Sequence, residues 1–381
     1  MNNLHISLTE FRNESRVLKE TKSILSHGIA NKVYIAALYS DGLLENEIYE
    51  SDIEIKRFNL SSRKLSRRLS VQLIKYLEFI LRIIFFYRDK NIKIINIHSI
   101  ALLPVGVLLK YLYGAKLVYD THELETETNG LRGLRKKLSK ILEKVLIKKV
   151  DKVFVVSENI ADWYRSTYNI ERPTVIMNTP KWFHQKKTNH FRTILGIKEY
   201  SRIVLYQGGL MKGRGIDLLL RTFQKREKDD VVIVFMGYGE LEEKIKQSSI
   251  EYDTIFFHPA VSPDIVLEYT SAADIGISFI ENTCLSYYYC LPNKLFEYTM
   301  VGLPVIVSDM KEMREMVEKY KIGMVVKEAN DRALSIAIDK IVDLDIKQLK
   351  INVEKFAKEN TWEKQEKKMI DIYKGLVNYE K

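Results

Sequence analysis

Apolar runs of strand length alternate with amphipathic stretches of helix length along the whole chain. In the first half the runs are LHISL, KVYIAAL, IKIINIH, KLVYD, KVFVVS and TVIMN. In the second they are RIVLYQGG, VVIVFMG, TIFFHPA, DIGISFI, LPVIVSD and GMVVK. Runs of Val and Ile without polar alternation predict strands buried on both faces, as in parallel sheets covered by helices. The intervening stretches include SRVLKETKSILSHG, with Gly28 placed to end a helix. Strand and helix alternating through two halves predict an α/β chain with two doubly wound parallel sheets. The pattern lapses in NTPKWFHQKKTNH, residues 178 to 190, where the two sheets should join.

A chain of 381 residues is long enough for two domains, and 46% apolar with 29% charged residues is a globular composition. The most apolar helical stretch, LIKYLEFILRIIFFY, is interrupted by Lys75, Glu78 and Arg82 and reads as amphipathic rather than membrane-spanning. The first residues, MNNLHISLTEF, lack the layout of a secretory signal. Cys284 and Cys290 are the only cysteines, which suits a reducing cytoplasm, and neither has a metal-ligand partner at a usual spacing.

The net charge of +10 calls for an anionic partner. It is densest in SSRKLSRR (61 to 68) and LRGLRKKLSKILEKVLIKK (131 to 149). In the second stretch Leu134, Leu138, Ile141, Leu142, Val145 and Leu146 fall at helical spacing among Arg135, Lys136, Lys137, Lys140 and Lys144. That pattern suits a helix lying on an acidic membrane surface, and equally the solvated face of a domain helix. No zinc-finger, RRM or helix-turn-helix signature accompanies the charge, so nucleic acid is not an expected partner.

In open parallel sheets ligands bind beyond the carboxyl ends of strands, and the informative residues follow strands here. In YQGGLMKGRGIDLLL, Gly208, Gly209, Gly213 and Gly215 alternate with Lys212 and Arg214 before a helix. Glycines let backbone N–H groups approach a phosphate, and an arginine fork suits its oxygens. A glycine-rich turn with exposed cations gives the same string, and it is not a P-loop. FMGYGELEEKI places Gly237, Gly239 and Glu240 at a second strand-to-helix turn, which needs glycines in any case.

The stretch CLPNKLFEYTMVGLPVIVSD opens a helix at Pro292-Asn293, with Asn293 read as its N-cap. Lys294 and the free N–H groups of that turn, through Leu295, could grip a pyrophosphate. Glu297, one turn on, could accept two vicinal ribose hydroxyls, or be an exposed acid on a half-buried helix. In LVYDTHELE, Asp120, His122 and Glu123 follow a strand. His122 there can be a base, a donor to a transferred group, or a satisfied loop histidine. The H-E-x-x-H zinc pattern fails, since Thr126 stands at the last position.

Five segments in register, GGLMKGRGIDLLL, GYGELEEKI, HPAVSPDIVLEYTSAADIGIS, LPNKLFEYTMVGLPVI and TWEKQEKKMIDIY, resemble the retaining family-four glycosyltransferases of the GT-B fold. VDKVFVVSENIADW and VIMNTP match the segments leading out of the first domain, so the resemblance covers nearly the full length. It implies two Rossmann-like domains facing a cleft. Residues 1–182 would form an acceptor-side domain, 183–360 the nucleotide-sugar domain, and 361–381 a helix crossing back to the first. It also implies Glu297 at the nucleotide ribose, Arg214 at the pyrophosphate and His122 facing the transferred sugar. Gly209 stands where the family has a further basic residue, which Lys212 or Lys294 would replace. Tyr289 stands eight positions before Glu297, where members often carry a first acid, so the donor sugar is left open.

The implied reaction moves a hexosyl or N-acetylhexosaminyl group from a nucleoside-diphosphate sugar, UDP rather than GDP, with retained anomeric configuration. It would need no metal or other cofactor. The acceptor would be a lipid-linked glycan or oligosaccharide in surface polysaccharide synthesis, met at the cytoplasmic face of the cell membrane. Charge develops on the departing pyrophosphate, and preorganised donors aimed at it are the main catalytic device expected. Two rival readings share the architecture: a sugar-nucleotide epimerase, and a non-catalytic nucleotide-sugar-binding member suggested by Tyr289. A nicotinamide dehydrogenase is disfavoured, because no G-x-G-x-x-G follows the first strand.

Overall fold

The computed structural model of the chain describes residues 1–12, 14–66, 68–184, 187–344 and 346–378. Arg67 in the basic stretch 61 to 68, Gln185 and Lys186 in the expected join, and the last three residues of the closing segment lie outside the described residues. Two compact units divide it: Met1–Ile176 with Glu366–Lys381, and Met177–Gln365.

Unit 1 runs β1 (Asn2–Ile6), α1 (Ser15–Ser26), β2 (Lys32–Leu38), β3 (Asn46–Glu50), β4 (Ile53–Phe58), α2 (Leu69–Tyr87), β5 (Ile92–Ile97), α3 (Leu103–Tyr113), β6 (Lys116–Asp120), α4 (Gly133–Leu146), β7 (Lys152–Val155), α5 (Glu158–Tyr168) and β8 (Thr174–Val175). Its sheet has the order β3-β4-β2-β1-β5-β6-β7-β8 and is parallel except for β3 against β4. The sequence pattern misses β3 and β4 for a physical reason. NEIYE and IEIKRF mix apolar with charged residues, and β3 is a largely exposed edge. α1 ends as expected, with Gly28 in the left-handed region at φ 66° just after its last turn.

Unit 2 runs α6 (His190–Leu195), β9 (Arg202–Gly209), α7 (Ile216–Gln224), β10 (Val231–Tyr238), α8 (Glu242–Glu251), β11 (Ile255–Pro259), α9 (Val266–Thr270), β12 (Ile275–Ser278), α10 (Leu285–Tyr288), α11 (Asn293–Met300), β13 (Val305–Ser308), α12 (Lys311–Tyr320), β14 (Gly323–Val326), α13 (Asp331–Asp343) and α14 (Ile346–Glu359), and the last helix, α15 (Trp362–Asn378), belongs to unit 1 from Glu366 on. The wholly parallel sheet has the order β11-β10-β9-β12-β13-β14. Strand order reverses between β9 and β12, which makes the ends of these strands the switch point where ligands bind in such sheets. β9 shows why its run lacks alternation. Ile203 and Leu205 pack into the core on one face, while Val204 and Tyr206 pack into the core on the other.

Trp362 at the start of α15 is buried and its N–H donates to the Pro180 carbonyl at 2.8 Å. Further along, Tyr373 is buried within unit 1, its ring edge-on to Phe154 and its hydroxyl bonded to Asn96. Among the described residues, no helix is long and apolar enough to cross a membrane.

Candidate functional site

At the switch point of unit 2, Gln207 lies near the end of β9 and holds a small polar network. Its side-chain amide donates to Glu297 Oε2 at 2.5 Å, and its amide oxygen accepts from the Thr270 hydroxyl at 2.8 Å. The Gln207 backbone N–H donates to the Tyr298 hydroxyl at 3.0 Å, tying α11 to the strand end. Tyr298 itself is in the core, so α11 is anchored by one residue and presents Glu297 from the next. This network answers why an acid sits in an otherwise apolar helix.

Lys294, one turn before Glu297, reaches back over β9. Its Nζ lies 3.8 Å from the centroid of the Tyr206 ring. Gly208 follows with φ 111°, and a Cβ there would lie 3.7 Å from the same ammonium. Burial first, then the Arg214 charge, pushes the Lys294 ammonium down to about 7, against the opposite pull of Glu297. Arg214 is half-buried, with its guanidinium carbon 4.7 Å from the centroid of the Tyr287 ring. Two cations, Lys294 and Arg214, and one carboxylate, Glu297, are thus gathered at the end of β9.

The other sequence-predicted residues divide between this cluster and its scaffold. Gly209 ends β9 with its carbonyl accepting from the Tyr206 hydroxyl at 3.0 Å. Lys212 is exposed, and its backbone N–H donates to Glu240 at 3.0 Å, so Glu240 pins the glycine-rich loop. Gly237 pairs in register with Gly208, and a Cβ on it would lie 1.9 Å from the Gly208 carbonyl oxygen. Gly239 is similarly placed, 2.5 Å from the Leu210 carbonyl oxygen. These two glycines let β9 and β10 close together below the loop. Leu295 is buried in the core beneath α11. Tyr289 is half-buried near Lys311, whose Nζ is 5.8 Å from its ring centroid.

Asn293 requires a correction. It is the first helical residue and not the N-cap, which is Pro292 in extended conformation, and no side chain caps this helix. Pro292 cannot continue a helix backward, and its carbonyl accepts from the Leu295 N–H at 3.1 Å, so the turn begins one residue early. Gln207, Thr270 and Tyr206 were not among the candidates from sequence. Gln207 stood in plain view at a strand end before two glycines, but Thr270 is brought in by tertiary folding alone.

Unit 1 has its own buried polar cluster at the ends of β1, β5 and β6. Arg16 clasps Asp120 with Nε at 2.9 Å and Nη2 at 2.6 Å, and its Nη1 donates to the Ile176 carbonyl at 2.7 Å. His122 Nε2 lies 3.0 Å and His98 Nδ1 3.2 Å from Asp120 Oδ2, and His98 Nε2 lies 3.0 Å from His5 Nδ1. Burial alone would raise the Asp120 pKa, but Arg16 and His122 hold it well below the usual carboxylate range. Burial lowers both His5 and His98, which keeps them neutral. Of the three histidines only His122 is open to solvent, at 37% exposure. His98, Asp120 and His122 also bring three possible metal-ligand atoms within 4.8 Å of one another. Arg16 already occupies both carboxylate oxygens, so the cluster fits the orientation of His122 better than the binding of a cation.

A doubly wound domain with two cations and a carboxylate at its switch point has the make-up of a nucleotide-binding domain. The family matches give the class. Residues 187–360 match the family described as Glycosyl transferases group 1, and residues 26–179 match Glycosyltransferase Family 4. The chain therefore carries the two Rossmann-like domains of a GT-B glycosyltransferase. An uncharacterized glycosyltransferase of Methanocaldococcus jannaschii is 23% identical over 288 residues, covering 71% of this chain and 72% of that protein. Sucrose-phosphate synthase from Thermosynechococcus elongatus superposes with a TM-score of 0.83 at 16% identity, covering all of both chains. Anabaena HepE in complex with UDP-glucose superposes with a TM-score of 0.75 at 14% identity, over 98% of this chain and all of that one.

Proposed function

We propose that the protein is a retaining glycosyltransferase that takes a sugar from a nucleoside diphosphate, UDP in preference to GDP. The observation that carries this reading is the meeting of Lys294, Gly208 and Glu297 at the end of β9, with Arg214 close enough for its charge to act on Lys294. A diphosphate would bring negative charge to the two cations, and the hydroxyls of an adjoining ribose would donate to Glu297. The UDP-glucose complex of Anabaena HepE supports the choice of nucleotide.

The chemistry follows from the charge that develops on the pyrophosphate as the glycosidic bond breaks. Arg214 and Lys294 are held in place before reaction, so little reorganisation accompanies that step. The protein's own side chains supply the positive charge, with no metal needed in this reading. In unit 1, His122 would hydrogen-bond the transferred sugar, its ring fixed by Asp120. The acceptor would be a lipid-linked glycan or oligosaccharide of a surface polysaccharide, met on an anionic membrane face. The cations and outward apolar residues of α4 support that part.

Thermal shift with UDP, GDP, ADP and CMP, followed by product analysis with a panel of UDP-sugars, tests the proposal. A nucleotide at one hundred times its Kd should stabilise by about 2.7 kcal/mol. A shift with UDP above the others, and a product of retained configuration, are the expected results. No shift with any nucleotide would end the reading.

A further inference from the structure

Helices α2, α3 and α4 turn a long apolar surface away from the core of unit 1. Leu77, Leu81 and Phe85 recur every fourth residue along α2, and Phe85 is 65% exposed. Leu112 on α3 and Leu138 and Ile141 on α4 are each more than half exposed. The three helices follow β4, β5 and β6 as the strand order advances in one direction, so right-handed crossovers set them on one face of the sheet. They also touch. The Tyr113 hydroxyl of α3 donates to the Ile84 carbonyl of α2 at 2.9 Å, and Lys110 of α3 donates to the Lys149 carbonyl just past α4 at 2.8 Å. Contiguous exposed apolar surface of this kind marks a docking face.

Charge identifies what docks. The only acids in the three helices are Glu78 and Glu143. Glu78 is taken by Arg82 and by the N–H groups of Ser61 and Ser62. Glu143 is buried beneath the hydroxyls of Tyr119, Tyr164 and Tyr168. Arg135, Lys137 and Lys144 are exposed, and none makes an ion pair among the described residues. A second copy would bring like charges face to face, whereas an anionic bilayer offers both an apolar interior and negative headgroups.

We infer that the α2 stripe and Leu112 insert among the acyl chains of an anionic bilayer while the α4 cations lie at its headgroups. This rests on the membrane reading above and adds that attachment is by insertion and not by charge alone. The test is flotation of the full chain with phosphatidylcholine–phosphatidylglycerol vesicles and with phosphatidylcholine alone. It is run at low salt and at about 1 M salt, where the Debye length falls to about 3 Å. The wild type should float with anionic vesicles and keep a salt-resistant fraction. The variant Leu77→Ser/Leu81→Ser/Phe85→Ser should lose that fraction by at least about tenfold, because each serine removes a side chain's worth of apolar burial. Lys137→Gln/Lys144→Gln should weaken binding at low salt only. A Leu81→Trp variant should gain fluorescence that brominated acyl chains quench, which also guards against misfolding of the triple variant.

Complete release by salt, or an unquenched Trp on floating protein, would overturn insertion and leave adsorption through α4 standing. Absence of flotation at every salt would remove both. A concentration-dependent dimer without vesicles, abolished in the serine variant, would assign the face to a second copy and overturn the inference.

Discussion

Gln207 and Glu297, ninety residues apart in sequence, share a hydrogen bond of 2.5 Å at the end of β9. Gln207 spends its own amide oxygen on Thr270, so its orientation is set and its N–H group can only point at the carboxylate. Glu297 is thereby aimed before any ligand arrives. Glu297→Ala should reduce the UDP-induced thermal shift sharply, since a charge-assisted hydrogen bond contributes about 1.5–3 kcal/mol. Gln207→Leu, which leaves the acid but removes its Gln207 partner, should weaken UDP by a smaller factor and leave binding of inorganic pyrophosphate unchanged. An unaltered UDP shift in Glu297→Ala removes that residue from the site.

The Lys294 ammonium gives a pH dependence with a definite sign. Its pKa in the folded chain is lowered to about 7, below the ordinary lysine value, so from about pH 7 to pH 10 the unfolded chain binds more protons there. This group therefore makes the ligand-free protein more stable as pH rises through that window. A bound diphosphate reverses the preference and favours the charged form. UDP binding at pH 8 should take up close to one proton, visible as a calorimetric enthalpy that varies with the ionisation enthalpy of the buffer. Lys294→Gln should abolish that variation.

Arg214 differs from Lys294 in being permanently charged and stacked on Tyr287. Arg214→Ala should lower UDP affinity by about 10- to 100-fold, in line with the loss of one or two charge-assisted bonds. Uridine, which carries no phosphate, should bind the variant and the wild type alike. Equal losses for UDP and uridine would mean that Arg214 supports the loop and not the phosphates.

Gly237 and Gly239 are scaffold. A methyl on Gly237 would meet the Gly208 carbonyl oxygen at 1.9 Å, and backbone cannot step aside as a side chain does. Gly237→Ala should cost about 2–3 kcal/mol in urea unfolding, as overpacking against main chain does. Gly213→Ala, with only the Tyr287 ring at 3.5 Å, would be limited by its φ of 80° alone and should cost less.

The strands of both sheets were legible because each is buried on two faces and its run is apolar without a break. β3 and β4 were not: β3 is an exposed edge with little apolar burial to write into the sequence, and β4, though inside the sheet, interleaves its buried Ile53, Ile55 and Phe58 with charged residues. At the switch point, glycines and cations after a strand pointed to the loop, and Glu297 drew notice as an acid without a packing role. Thr270, Tyr206 and the Arg16–Asp120 pair depend on which strand neighbours which, and that order is tertiary. The helix start at Asn293 was misjudged by one position because Pro292 and Asn293 both suit it. The outward side of α2 was hidden for another reason: Lys75, Glu78 and Arg82 suggested a wet face, but Glu78 and Arg82 pair with each other and leave the leucines uncovered.

Asp120 and His122 should separate stability from turnover in unit 1. Asp120 is wholly buried against Arg16, itself nearly so, and Arg16 also pairs with the buried Glu20 at 3.0 Å. Asp120→Asn leaves Glu20 as the remaining acid on the buried guanidinium, so it should destabilise in urea unfolding by less than the about 3–5 kcal/mol of a buried charge stripped of every partner, but by well over about 0.5 kcal/mol. His122 is half-exposed and its removal uncovers nothing in the core. His122→Ala should therefore unfold within about 0.5 kcal/mol of the wild type, the range for surface changes. Its turnover with UDP-sugar should fall by about 100-fold or more if the ring bonds the reacting sugar, with UDP affinity unchanged. His98→Gln, which removes a neighbour of Asp120 but keeps a donor, should show an intermediate loss of kcat and a displaced pH profile. Unchanged kcat in His122→Ala would reduce the whole histidine cluster to a structural role.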